Sequence, residues 1–480
     1  MTKKSILRLL QASLMCCLAV LFTACDDIFA SEDNPIPAYL SMSDKPVTLK
    51  VGDTYRRKAI SVTSAVVEYT SSKTDVATVD NEGLVTAKAE GTTTITATAT
   101  GYSSQNGKKI YQPASVSYVV TVKAATVAVT GLTLNKANLR FGMNAPTAQA
   151  LIADVLPADA TDKTVTWTSS DTNVATVDAE GNVTPVAKGT TTITATAGDK
   201  TATSTVYIYD KIVDINTVSA NVIVTADESW LIEGDVTTSV SKSITIGAGA
   251  TVTLNGINIT NGIECLGDAT IILADGSTNT ITAQDDYAGI EVGAAGLTIN
   301  AETAGTGILN VTGGSKGAGI GTSEAYDSSQ TCGDITINGG TITATGGNGA
   351  AGIGTGYSFG SGAPTNQTCG DITINGGIVT ATGGMYGAGI GTGYSFHNSA
   401  VTSNECGAIT IGTGVTSVTA IMGTGSPISI GMGASNGYTI NGTQTCGTIT
   451  IGGVVYWENN NYVGTGSTYL TSNITYTPSN

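Results

Sequence analysis

Few residues in this chain could do chemistry, and their spacing says more than their number. Four cysteines, Cys332, Cys369, Cys406 and Cys446, recur 37, 37 and 40 residues apart, each just ahead of a short β-like motif. Neither a C-x-x-C pair nor a histidine stands near them, so the pattern is not one that holds zinc. The single histidine is His397, and the acids of the same half are Asp285, Asp286, Glu291, Glu302, Glu324, Asp327, Asp334, Asp371 and Glu405, which form no clustered motif. Glycoside hydrolysis asks for two carboxyls flanking a cleft, and triad chemistry asks for a nucleophile, a base and an orienting acid. The sequence lets neither set be assembled. The expectation is a protein without a catalytic set and without a cofactor, and polysaccharide cleavage ranks third among the functions considered.

A binding chemistry is easier to see. The segments AAGIGTGYSF (350–359) and GAGIGTGYSF (387–396) are nearly identical and 37 residues apart. A glycine-rich loop that cradles phosphate would open one helix, once. Recurrence at a fixed period marks a repeating structural unit instead. Stacking the repeats sets Tyr357 above Tyr394 and Phe359 above Phe396, with Tyr326 offset in the coil before. An aromatic column amid Ser, Asn and Gln suits the faces and hydroxyls of a sugar chain, and Tyr357, Phe359, Tyr394 and Phe396 are the candidate ligand-binding residues. The competing reading is that these rings only pack the loops onto the scaffold.

The elements that must position them repeat along the C-terminal half. SITIG, ATIIL, GLTIN, DITIN, DITIN, AITIG and TITIG place a recurring apolar residue at Ile246, Ile272, Ile299, Ile337, Ile374, Ile411 and Ile451, and second and third strands, TITATGG and AGIGTG, follow the later copies. Strands with two or three inward apolar residues cannot bury a core alone. Stacked at the parallel-strand spacing of about 4.8 Å, each coil covers the next. The predicted architecture is a parallel β-helix of seven or eight coils over residues 211–480, closed by an aromatic-rich C-terminal cap, with a sandwich array as the alternative. Resemblance to known parallel β-helices implies the right-handed form. Cysteines at one phase of neighbouring coils lie within reach of a disulfide, but their side chains point in parallel, which favours a buried thiol stack with Cys265 as the odd thiol. Asn338 and Asn375 can form an amide ladder. Asp334 and Asp371 stack too, as a solvated pair or, as weak metal candidates, around a calcium ion.

The N-terminal half is a duplication. YTSSKTDVATVDNEGLVTAKAEGTTTITATA from Tyr69 and WTSSDTNVATVDAEGNVTPVAKGTTTITATA from Trp167 match at a constant offset of 98 residues. Alternation, a Glu-Gly turn and a second alternating run read as strand, hairpin and strand. The motifs resemble the group 2 bacterial immunoglobulin-like (Big) domains of intimin- and invasin-type surface proteins over 42–124 and 127–210, and the resemblance implies spacer domains. Tyr69 and Trp167 fall at core-facing positions. The whole chain is thus expected to be all-β: two immunoglobulin-like sandwiches, then the β-helix.

Residues 1–24 have a basic head and a short apolar run, and Thr23-Ala24-Cys25 resembles a lipoprotein lipobox with Phe22 where the family usually has Leu. Cys25 is then the lipidated residue, and 25–41 the tether. Asp26 and Asp27 resemble the start of Bacteroidetes-type surface lipoproteins, which implies an outer-membrane, outward-facing location with membrane contact through the anchor alone. The formal charge of −16 falls by three more, to −19, without residues 1–24, and such a surface repels nucleic acid. The function expected from all of this is a non-catalytic surface adhesin or glycan-binding module whose partner is a polysaccharide or cell-surface glycan, and a purely structural surface protein is the second reading.

Overall fold

The computed structural model describes residues 36–37, 40–61, 66–100, 111–303, 305–360, 366–397, 403–437 and 444–478. Cys25 and the segment before it lie outside the described residues. Among the described residues the fold is all-β apart from a single-turn helix at Gly466–Tyr469. Contacts divide the chain into two compact units, 1–131 with 155–163, and 132–154 with 164–480.

In the first unit a sheet runs Val47–Lys50, Ala114–Lys123, Gly91–Ala99, Val67–Ser71, and a second comprises Thr54–Arg56, Leu84–Ala87 and Ala77–Val79. From Thr93 onward the run GTTTITATA alternates buried and half-buried residues, as a strand with one face on a core must. Tyr69 is 9% exposed and packs in that core, and its hydroxyl accepts the Ala59 N–H at 2.6 Å. A ring so enclosed is packing, not a sugar platform. In the second unit Ala175–Val177, Asn182–Pro185 and Gly189–Ala197 repeat three of those strands 98 residues later, and Trp167 packs half-buried against Leu139, Ile193 and their neighbours.

The rest of the second unit is a parallel β-helix. Its longest face carries nine parallel strands, from Lys211–Asp214 to Ile449–Ile451. One inward column reads Trp230, Val252, Ile271, Ile299, Ile337, Ile374, Ile411 and Ile451. Each fully enclosed isoleucine contributes roughly 1.5–3 kcal/mol by burial. The column corrects the sequence register twice. Ile271, not Ile272, is the inward residue of its strand. Ile246 lies on another face, paired with Val224 and Cys265. The cause is that I-T-I triplets occur on two faces, while the early coils step by only 22, 19 and 28 residues between Trp230, Val252, Ile271 and Ile299.

Two devices hold the register. Gly321, Gly354 and Gly391 adopt φ of 143°, 133° and 131°, and a Cβ on each would run into the carbonyl oxygen of the equivalent glycine one coil on. Only glycine permits that approach. The asparagine ladder forms and is one rung longer than expected: Asn338 Nδ2 donates to Asn300 Oδ1 at 2.8 Å, and Asn375 Nδ2 to Asn338 Oδ1 at 2.9 Å.

Cys332, Cys369, Cys406 and Cys446 stand in register as a column of buried free thiols, and Cys265 is buried and free on another face. Thiol–thiol hydrogen bonds with Cys369, and then burial, hold Cys332 and Cys406 far above the usual thiol range, and burial pushes Cys265 up to about 12. Cys332, Cys406 and Cys265 thus stay protonated as buried filling, while the hydrogen bonds that Cys332 and Cys406 make to Cys369 pull that central thiol the other way. The open C-terminal end is closed by antiparallel strands, Val454–Glu458 on Ile449–Ile451 and Ile474–Tyr476 on Val415–Ile421. Tyr456 stacks on Tyr469 at 4.6 Å, and Trp457 Nε1 donates to the Cys446 carbonyl at 3.3 Å. The aromatic tail therefore caps the ladder.

Within this unit Arg140, on strand Asn138–Gly142 of the sandwich, pairs with Glu302 of the β-helix at 2.6 Å, and the Glu302 side chain is 4% exposed. Glu302 also accepts the Asp275 N–H at 3.0 Å. Removing one partner leaves a buried charge uncompensated, which costs about 3 kcal/mol. Glu302→Leu is expected to lose about that much in denaturant unfolding, and Arg140→Leu/Glu302→Leu to recover most of it. Equal losses in single and double variants would contradict this role.

Candidate functional site

From Ala325 onward each coil grows an excursion, whose described residues form an outgoing and a returning strand. Outgoing strands Ala325–Tyr326, Ser358–Gly360, Ser395–His397 and Ser435–Gly437 form one parallel sheet. Returning strands Gln330–Cys332, Gln367–Cys369, Asn404–Cys406 and Gln444–Cys446 form another. The sequence reading allowed three strands and a variable loop per coil, so two strands per coil are additional. Their signal was the recurrent Q-T-C or N-E-C ahead of each I-T-I triplet. Buried amides tie return to departure: Gln330 Nε2 donates to the Ser323 carbonyl at 2.5 Å and Gln367 Nε2 to the Gly356 carbonyl at 2.7 Å.

Alternation in Y-S-F turns Ser358 and Ser395 inward and leaves the rings on the other side. Tyr326, Phe359 and Phe396 share one register position. The structure thus places Tyr326 directly in line, where an offset was expected. Tyr326 and Phe359 stack at 5.2 Å, and Phe359 and Phe396 at 5.6 Å with planes 10° apart. Alongside, Tyr357 and Tyr394 stack at 5.7 Å, and Tyr386 leans on Tyr394 at 4.9 Å. The four sequence candidates are therefore brought together, joined by Tyr326 and Tyr386. Stacking covers the inner ring faces, so the open aromatic face is at the column's end, on Tyr326, which is 62% exposed.

All of these rings except Phe396 wall a groove of about 400 Å³ with Lys316, Asn348 and Met385. Lys316 Nζ lies 5.5 Å from the Tyr357 ring centre and 2.5 Å from Glu324 Oε1. Burial, and then Tyr394, pushes the Tyr357 phenol up to about 12, so it stays a hydrogen-bond donor at neutral pH. Burial also raises the Glu324 carboxyl, with Asp286 against it and Lys316 partly offsetting the effect. The groove thus offers ring faces, a cation, hydroxyls and an amide, which is the chemistry of a sugar site.

The aspartate column has a structural explanation. Asp334 Oδ1 accepts the Asp371 N–H at 2.8 Å, and Asp371 Oδ1 accepts the Ala408 N–H at 2.7 Å. Asp268 does the same for Gly296 at 2.7 Å. Each carboxylate clasps the backbone of the following coil. Among the described residues no group of three or more His, Cys, Asp or Glu side chains could hold a metal ion. The His397 side chain lies outside the described residues.

The structure joins two carboxyls that the sequence reading left apart. Glu264, not singled out from sequence, stands in register beside Glu291. The signal was G-I-E at 262–264 and again at 289–291, where later coils read G-I-G.

The model for the bacterial Ig-like domain (group 2) matches residues 39–110 and 143–206, and that for the β-helix repeat matches 335–357 and 372–394. The chain carries two group 2 bacterial Ig-like domains followed by β-helix repeats. Among curated proteins it is 28% identical over 196 residues to Ice-binding protein 1 of Shewanella frigidimarina, covering 40% of this chain and 20% of that one. It is 45% identical over 87 residues to Lacto-N-biosidase of Bifidobacterium bifidum, covering 17% and 8%. The chain thus spans a fifth or less of the length of these relatives. Among solved structures, mouse cadherin-23 repeats align at TM-score 0.23 and 16% identity over 37% of this chain and 66% of that one.

If the aspartates are clasps, calcium and EDTA leave the melting temperature unchanged. Asp371→Leu costs about 1 kcal/mol, the value of one lost hydrogen bond, while Asp371→Asn keeps an acceptor and costs less. A calcium-dependent rise in melting temperature would contradict the clasp.

Proposed function

We propose that this is a surface-displayed carbohydrate-binding protein whose ordered excursions hold a sugar chain in the aromatic groove. The observation that carries the reading is the register-locked aromatic column, ending on an open Tyr326 and flanked by Lys316, Asn348 and the Tyr357 hydroxyl. The groove is supported from below by buried glutamines and in-register strands, so its rings are held in place before any ligand arrives, which lowers the ordering cost of binding. The two Ig-like domains act as spacers, and Cys25 supplies a lipid anchor at the outer membrane. Bifidobacterial relatives named as glycosidases share a stretch about one Ig-like domain long, in keeping with such domains serving carbohydrate-directed proteins.

A glycan array probed with the full chain tests this. Tyr326→Ala and Tyr357→Ala/Tyr394→Ala are each expected to lower affinity at least about tenfold, or 1.4 kcal/mol, for whichever glycans the unaltered chain binds. Absence of any bound glycan, or binding unchanged in both variants, removes the groove from the account and leaves a structural surface protein.

A further inference from the structure

The column ends beside a second cavity that sugar binding alone does not explain. Ser323 borders that cavity and the next residue, Glu324, borders the aromatic groove. The cavity, of about 770 Å³, is lined by Asn261, Glu264, Gln284, Tyr287, Glu291 and Ser323. Tyr287 is 65% exposed at its edge, a second open ring face after Tyr326.

Glu264 and Glu291 occupy the same register position on neighbouring parallel strands, so their backbones are about 4.8 Å apart and both side chains leave the same face of the sheet. Like charges so placed oppose each other. The environments separate the two. Glu264 is exposed. Glu291 is largely enclosed, accepts the Ser323 hydroxyl and is held above the ordinary carboxyl range, at about 7, chiefly by burial and further by the charge of Glu264. A purely structural role for Glu291 as an anchor of the Ser323 segment accounts for one carboxyl. It does not account for an exposed acid directly opposite, where later coils place glycine.

We propose that Glu264 and Glu291 form the carboxyl pair of a retaining glycoside-hydrolase site, acting on a sugar chain that lies along the aromatic groove and over Tyr287. The proposal rests on the groove binding a sugar chain. In the first step the Glu264 carboxylate attacks the anomeric carbon, the glycosidic C–O bond breaks and Glu291 gives its proton to the departing oxygen. In the second, water attacks the same carbon and gives a proton to Glu291 while the ester bond to Glu264 breaks, which restores both carboxyls. Water is the only co-reactant. Side chains that leave one sheet face from backbones about 4.8 Å apart can set their carboxyls at the roughly 5–5.5 Å of a retaining enzyme, whereas an inverting pair stands about 6.5–9.5 Å apart to admit a water.

The test uses the full chain and its Glu264→Gln and Glu291→Gln variants, with melting temperatures to confirm folding. Release of reducing ends is measured on xylan, pectin, starch and mucin O-glycans. Trapping is read by intact-protein mass spectrometry with 2,4-dinitrophenyl 2-deoxy-2-fluoro derivatives of glucose, galactose, mannose and xylose. The proposal expects cleavage of at least one polymer, falling by at least about 10²-fold in Glu291→Gln, with a rate that declines as pH rises past about 7. It expects a single fluoroglycosyl adduct on Glu264, absent in Glu264→Gln and still formed in Glu291→Gln, since the dinitrophenolate leaves without a proton. No cleavage and no adduct, or variants that act like the unaltered chain, would overturn it. Glycan binding that survives in all three proteins without cleavage removes the carboxyl pair and leaves the groove standing. Loss of array binding, by contrast, removes the groove first.

Discussion

Every functional feature of this protein descends from one constraint, the parallel backbone ladder that fixes each coil of the β-helix on the one before it. Strands of three to five residues carry too little apolar surface to fold alone, and the ladder supplies the missing partner: each inward Ile, Val or Leu is covered by its counterpart a strand away. Because the period of a strand is two, a slip of one residue would turn the whole isoleucine column out to water. Register is therefore strongly enforced, and whatever lies outward at the same phase is forced into columns as well.

Those outward columns are where chemistry accumulates. Aspartates repeat and become clasps on the following coil's N–H groups. Asparagines become a ladder of amides. Aromatics on the outgoing strands of three successive excursions become a stack whose inner faces cover one another and whose last member, Tyr326, remains open. Glutamates on two coils become a carboxyl pair with unlike environments. None of these needs a loop conformation of its own; the sheet positions them. Glycine at 321, 354 and 391 has the complementary duty, admitting the carbonyl of the next coil where any side chain would block it.

The sequence made much of this legible. A constant offset of 98 residues and an ordered set of motifs identify the two sandwiches, and the I-T-I repeat identifies the ladder. The late coils, 37 to 40 residues long, were read in correct register because each carries one such triplet at one phase. The early coils were misread at Ile246 and Ile272, since they are shorter and since I-T-I serves two faces. The aromatic column was readable because Y-S-F repeats without change. The excursion strands were not: Q-T-C is polar, and its glutamine is buried only because a carbonyl waits for it across the arm. Glu264 and Glu291 escaped notice for a related reason. They belong to coils 27 residues apart, neither of which carries an excursion, and only the backbone pairing shows that the two glutamates are neighbours.

The central claim is the coil-on-coil register, and distance measurement between spin labels tests it most directly. Thr270, Thr298, Thr336, Thr373 and Thr410 form one half-buried outward column, so labels at Thr270→Cys and Thr410→Cys are separated by four steps of about 4.8 Å, or about 19 Å between backbones. A single narrow distribution near that value, allowing for the label linkers, is the predicted result. A broad distribution, or one longer by two or more strand spacings, would contradict the stacking on which the groove and the carboxyl pair both depend.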